Sequence, residues 1–204
     1  MPGHDIIAIG GSAGAVNAMQ EIAAGLAADL PAAVLVVVHV APTARSVLPQ
    51  LLSRRGPLPA AHAVDGEIIA PGRIYVAPPN YHLVVQDGDV RLTRGPRENR
   101  VRPSVDALFR SAARAYGPRV VGVVLTGGLD DGSVGLGAVK RLGGIGVVQD
   151  PADSAYPEMP ENALASADVD YCVPLDQIAP LLDRLAREPA PTKGAEVPSE
   201  IDYE

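Results

Sequence analysis

At 204 residues the chain is long enough for one globular domain, or one domain with a short appendage, and too short for two of ordinary size. Apolar residues make up 47% of it, yet there is no tryptophan and one phenylalanine, so the core has to be built from Val, Leu, Ile and Ala. The 17 basic and 24 acidic residues leave a formal charge of -7, which gives no general attraction to nucleic acid or to anionic lipid.

The first residues, Met1-Pro2-Gly3-His4-Asp5, do not form the basic-then-apolar pattern of a secretory signal. The most apolar run, 32–38, falls far short of the roughly 18–20 residues that cross a bilayer. The expectation is a soluble, cytoplasmic protein with no membrane insertion. The one cysteine, Cys172, has no partner for an internal disulfide. Its Tyr-Cys-Val setting suits a buried structural thiol better than a nucleophile.

Short apolar runs alternate with amphipathic stretches, the rhythm of strands and helices around a parallel sheet. In chain order the pattern predicts a strand over 6–10, a helix over 16–27 and a valine-rich strand over 33–40. Both strands are apolar on consecutive positions, as strands covered on two faces are, which places them in the middle of the sheet. A helix over 47–53 and a short strand over 74–76 follow. Segments 82–86 and 90–93 flank Asp87-Gly88-Asp89, the sign of a tight hairpin and hence of an antiparallel extension. Next come a helix over 104–116 with Leu108 and Phe109 turned to the core, and a buried strand over 120–125. The series ends with a helix over 134–142, a strand over 147–149, a helix over 161–167, a strand over 171–173 and a helix over 177–187. The fold class is α/β: a doubly wound, mainly parallel sheet with helices on both faces and the hairpin added. Residues 188–204 carry five acids against one lysine, with three prolines and no apolar period, and separate as an acidic, disordered tail from a folded domain over 1–187.

In open parallel sheets, ligands bind beyond the carboxyl ends of the strands. The first strand ends in Gly10-Gly11-Ser12-Ala13-Gly14-Ala15 and turns at once into a helix, so the glycines can lift the Ser12 hydroxyl clear of the sheet. Ser12 as a helix cap and the loop as a pyrophosphate cradle compete with Ser12 as a nucleophile, although no full G-x-G-x-x-G is present. His39 lies at the carboxyl end of the second strand. The strand over 120–125 runs into Thr126-Gly127-Gly128-Leu129-Asp130-Asp131-Gly132, with two acids before a helix. If the first strand is central and flanked by these two, a hydroxyl, an imidazole and a carboxylate emerge from one edge. An imidazole titrates near neutrality and suits proton removal from serine, and an aspartate fixes its tautomer. Taken singly, His39 could equally be a core imidazole satisfied by backbone, and either aspartate a helix cap.

These stretches resemble the catalytic domain of the CheB protein-glutamate methylesterases. The likeness is carried by Ile9-Gly10-Gly11-Ser12-Ala13-Gly14, Val38-His39-Val40 and Tyr75-Val76-Ala77-Pro78-Pro79-Asn80-Tyr81-His82-Leu83. It continues through Arg102-Pro103-Ser104-Val105-Asp106-Ala107-Leu108-Phe109, Leu125 to Gly132, Gln149-Asp150-Pro151 and Tyr156-Pro157-Glu158-Met159-Pro160. The resemblance implies that Ser12 is the nucleophile, His39 the base and Asp131, the acid directly before Gly132, the orienting group. It further implies oxyanion donors near Ala13 and Gly128, and Met159 and His82 beside a substrate cleft, with a structural role for His82 as the stronger alternative. The implied reaction is serine-dependent removal of methyl groups from glutamate γ-methyl esters of chemoreceptors, with glutamine deamidation in some members and no metal or organic cofactor. A non-catalytic signalling module with the same fold, or an esterase for another methyl ester, are the rival readings.

Two departures stand out. The sequence begins at the esterase-like part, where the familiar member carries a phospho-receiver domain, so control is expected from a separate response-regulator protein or not at all. Ala15 and Gly128 replace a glycine and a methionine common in the family; the second change removes a side chain from the cleft wall, which bears on substrate preference more than on chemistry. Finally, Arg91, Arg94, Arg97, Arg100 and Arg102 make a local basic run, suited to a solvated hairpin edge or to contact with acidic receptor helices.

Overall fold

The computed structural model describes residues 3–43 and 45–191. Seven strands form one sheet: β1 (Ile6–Gly11), β2 (Ala33–Val38), β3 (Ala60–His62), β4 (Arg73–Val76), β7 (Val120–Val124), β8 (Ile145–Gln149) and β9 (Tyr171–Val173). Their order is β3-β4-β2-β1-β7-β8-β9, and every neighbouring pair is parallel. The chain winds outward from β1 through β2 to β4, then returns to the other side of β1 for β7, β8 and β9. The winding thus reverses at β1 and β7, where open sheets of this kind place their ligands.

Successive residues of each central strand feed opposite layers, as the two-residue repeat requires. Ile7, Ile9, Val34 and Val36 pack under α1 (Ala15–Gly25), α2 (Leu48–Arg55) and α6 (Leu175–Arg187). Ile6, Ala8, Leu35 and Val37 pack under α3 (Val105–Tyr116), α4 (Ser133–Arg141) and α5 (Glu158–Ser166). Leu108 and Phe109 are fully buried in this second layer, as the α3 pattern predicts. All residues of β1 and β2 are buried, which is why their sequences show no polar alternation.

The predicted hairpin is present as β5 (His82–Gln86) and β6 (Asp89–Thr93), a two-stranded antiparallel sheet of its own. Its two-residue turn has Asp87 at φ 52 and Gly88 at φ 92, the pair of positive angles a type I′ turn demands. Leu83, Val85 and Val90 bury its inner face in the α3 layer. The edge strand β3 is absent from the sequence reading. With only Ala60, Ala61 and His62, all half-buried, it has no apolar pattern to detect.

Cys172 corrects the expectation of a buried thiol: it is exposed. The reason is its strand, for β9 is a three-residue edge paired only with β8. Partial desolvation, with the Asp150 charge added, holds the thiol above its ordinary value and so keeps it protonated at neutral pH. At the far end of the chain, Pro189 bridges Gly3 and Ala190 is buried, so packed structure continues past Arg187. The rest of the acidic tail, 192–204, lies outside the described residues. Among the described residues no helix is long and apolar enough to cross a membrane.

Candidate active site

The parallel register sets Gly11 of β1 opposite Val38 of β2, and the His39 N–H continues the ladder onto the Gly11 carbonyl at 3.1 Å. Ser12 and His39 are thus the next step of adjacent strands, which run about 4.8 Å apart. On the other side the Ser12 N–H donates to the Thr126 carbonyl at 3.0 Å, just beyond β7. The condition set by the sequence, a central first strand between the other two, is therefore met.

Helix α1 starts at Ala15 with Gly14 as its cap and no side-chain cap bond, so the Ser12 hydroxyl is not spent on capping. Helix α4 is capped by Gly132, so neither Asp130 nor Asp131 caps it as an N-cap side chain. Asp130 is exposed, whereas Asp131 is 2% exposed and accepts a hydrogen bond from His39 Nε2 at 2.7 Å. A carboxylate that accepts from Nε2 places the proton there and leaves Nδ1 as the basic nitrogen. His39 is therefore engaged with a carboxylate rather than with backbone. Among the described residues the Ser12 Oγ makes no hydrogen bond, and the His39 side-chain bond goes to Asp131 rather than to Ser12.

Asp131 is held by donors from the start of α3 and the segment before it. Its Oδ1 accepts from Ser104 Oγ at 2.8 Å, Asn99 Nδ2 at 2.8 Å and the Asp106 N–H at 3.1 Å, and its Oδ2 accepts from the Val105 N–H at 2.7 Å. Burial pushes this carboxyl up, but the His39 hydrogen bond, the Val105 N–H, the His39 charge and Asn99 outweigh it and hold Asp131 below its ordinary value. Asp106 returns the arrangement: its Oδ1 accepts from the N–H groups of Gly132 and Gly135, at 3.0 and 2.6 Å, at the start of α4. Each helix thus receives its terminal carboxylate from the other's neighbourhood, where the N-terminal partial charge favours anions. Asn99 Nδ2 also reaches Asp106 Oδ2 at 2.8 Å and so bridges the two acids. Burial raises the Asp106 carboxyl; the Gly135 N–H opposes this, the Asp131 charge adds to it, and the net shift is upward.

Gly10 explains how α3 comes so close. A Cβ there would lie 2.1 Å from Val105 Cγ1, so only glycine lets the α3 terminus reach the end of β1. None of Asn99, Ser104 and Asp106 is legible as a site residue from the sequence alone. Ser104 carries a helix-start signal, but nothing local shows that its hydroxyl also faces Asp131 across 27 residues.

The structure does not bring His82 and Met159 to an open cleft wall. His82 is buried, with Nδ1 accepting from the Ser104 N–H at 3.2 Å and Nε2 donating to the Pro96 carbonyl at 2.8 Å. Both ring nitrogens are consumed in holding the chain before α3, the structural alternative. Met159 is fully buried beneath Gly127, where a Cβ would lie 2.2 Å from its Sδ and 2.8 Å from Ser12 Cβ. Gly127→Ala is therefore expected to cost about 1–3 kcal/mol of stability in urea unfolding by overpacking, and to displace Ser12, so that activity falls more than stability alone explains. Full activity in this variant would show that the Gly127–Ser12 approach is not required.

Of the five arginines, Arg91 pairs with Asp89, Arg94 lies over the Tyr81 ring, and Arg102 binds Asn80 Oδ1 and the carbonyls of Arg94 and Gly95. Arg97 and Arg100 are exposed and form no ion pair with the described residues. The hairpin-edge account therefore fits Arg91, which sits on β6, and not the whole run.

Comparison with known proteins supplies the family. The sequence profile of the CheB methylesterase family matches residues 7–182. A relative from Leptospira interrogans, whose name gives protein-glutamate methylesterase and protein-glutamine glutaminase activities, is 37% identical over 183 residues, or 89% of this chain and 95% of its own length. A Caulobacter vibrioides protein-glutamate methylesterase/protein-glutamine glutaminase is 40% identical over 192 residues, but the match spans 91% of this chain and only 55% of that protein. The crystal structure of the Thermotoga maritima CheB methylesterase catalytic domain superposes with a TM-score of 0.85 at 32% identity, covering 89% of this chain and 98% of that one. With the family profile, the relatives and the fold in agreement, this chain belongs to the CheB methylesterase family.

Proposed function

We propose that the chain hydrolyses glutamate γ-methyl esters on chemoreceptor-like proteins, with Ser12 as nucleophile, His39 as base and Asp131 as the orienting acid. The observation that carries the reading is the His39–Asp131 hydrogen bond of 2.7 Å, held beside Ser12 at the point where the sheet reverses its winding. The reading requires the Ser12 hydroxyl to reach His39 Nδ1 as substrate binds, a contact that in many enzymes tightens only then. His39 Nδ1 takes the Ser12 proton as Oγ attacks the ester carbonyl. It then gives that proton to the methoxy oxygen as the C–O bond breaks, releasing methanol and leaving a glutamyl-serine ester. Water, deprotonated at the same nitrogen, cleaves this ester and regenerates Ser12.

The Ala13 N–H, in the serine loop, and the Gly128 N–H, in the loop after β7, donate to no acceptor among the described residues, which supports them as holders of the oxyanion. A γ-carboxamide offers the same acyl carbon, so the double name of the relatives is compatible with deamidation at this site. Control by a separate response-regulator protein belongs to the same proposal and rests on family likeness. The test is methanol release from methylated receptor fragments by the full chain and by His39→Ala, in which turnover is expected to fall by about 10^3-fold or more. No methanol release by the wild type, or an unchanged rate in the variant, would count against the reading.

A further inference from the structure

The rim around Ser12 has two chemically different sides, one apolar and one basic, and each carries left-handed backbone: Leu129 on the first, Asn99 and Arg100 on the second. Leu129, in the loop after β7, has φ 67, a left-handed conformation that a bulky L-residue seldom adopts, and its side chain is nevertheless 63% exposed. It is not a loose loop tip. Its N–H donates to Glu158 Oε2 at 2.9 Å, and its carbonyl accepts from Asn162 Nδ2 at 2.8 Å, so α5 fixes it at both ends. Backbone strain that surrounding contacts maintain, with an apolar side chain held out to water, is a feature that concentrates at binding sites.

Tyr156, 53% exposed, stands beside it, for its backbone is tied to Thr126 Oγ1 and to the Gly127 N–H, the residues next to Ser12. The opposite side is the segment that carries Asn99, whose amide binds Asp131, with Arg97 and Arg100 exposed on either side of it. Asp130, beside Leu129 in sequence, is exposed, and Glu158 is spent on the Leu129 N–H; Glu98 on the basic side is paired with Arg110.

The occupant cannot add to the sheet here, because β1 is already paired on both edges, by β2 and β7. A segment that satisfies its own backbone is what the rim admits, and a helix does so. We propose that Leu129 and Tyr156 on one side, and Arg97 and Arg100 on the other, form the recognition surface for an acidic amphipathic helix that presents the ester-bearing glutamate to Ser12. This deepens the methylesterase reading and rests on it for the identity of the bound segment. The apolar stripe of the helix lies on Leu129 and Tyr156, and its acids face the two arginines, away from Asp130.

The experiment titrates a labelled, methylated chemoreceptor helix fragment with the full chain, with Leu129→Asn and with Arg97→Gln/Arg100→Gln, alongside methanol release. Asparagine accepts the left-handed backbone, so Leu129→Asn is expected to keep the wild-type thermal midpoint while weakening fragment binding at least tenfold. The arginine variant is expected to bind less steeply with salt than wild type. Binding and salt dependence equal to wild type in both variants would overturn the surface, as would a wild-type protein that does not bind the fragment. Intact binding with no methanol release by the wild type would instead sink the esterase reading and leave the surface standing.

Discussion

Ser12→Ala is expected to lower kcat for methanol release by about 10^4-fold or more while stability changes by no more than about 0.5 kcal/mol. The two halves of the expectation have the same origin. The Ser12 hydroxyl makes no hydrogen bond among the described residues and caps no helix, so the fold gives up nothing when it is removed. The proposed mechanism loses its nucleophile, and only the rate supplied by binding and the proposed oxyanion donors would survive. Methanol quantified under single-turnover conditions, beside a urea titration, measures both. Methanol release at the wild-type rate would reject the hydrolytic assignment outright.

Asp131→Asn is expected to be almost as damaging to turnover, by about 10^4-fold, and unlike the serine change to destabilise the protein by about 3 kcal/mol. The carboxylate accepts five hydrogen bonds, from His39, Val105, Asn99, Ser104 and Asp106. An amide has one oxygen to offer, and its NH2 must face donors on the other side. If that side is His39, the ring tautomer is forced the wrong way round.

The pH dependence has a definite sign. Asp131 is held below its ordinary value, because the His39 and α3 bonds outweigh burial, so its contribution to stability is present above the unfolded carboxyl range near 4 and is lost as pH falls through the lower folded value. The stability gap between wild type and Asp131→Asn should therefore narrow below about pH 4. Asp106 runs the other way: raised in the fold, it costs stability as pH climbs from the unfolded value through the folded one. A gap that is constant from pH 7 to pH 3 would contradict the ionised, hydrogen-bonded Asp131.

The layout of the main sheet could be read from the sequence because β1, β2 and β7 are buried on both faces and so apolar at every position. The same logic misjudged Cys172, since an apolar-looking triplet on an edge strand is not thereby covered. It missed β3 altogether. Ser12, His39 and Asp131 were legible as separate strand-end residues, and the resemblance favoured Asp131 over Asp130; the physical reason, burial against the α3 terminus, exists only in three dimensions. Asn99 and Asp106 stayed hidden for the same cause, because their partners lie 32 and 26 residues away. The basic run split in the fold into arginines that brace the chain and two that face water.

The exchange of carboxylates between α3 and α4 makes the alignment of the imidazole a by-product of how two helices sit together. A substitution that loosens the packing of α3 against α4, or of the hairpin against α3, would therefore be felt at Asp131, because two of its N–H donors, Val105 and Asp106, belong to the first turn of α3. The clasp couples helix packing to the orientation of the proposed base.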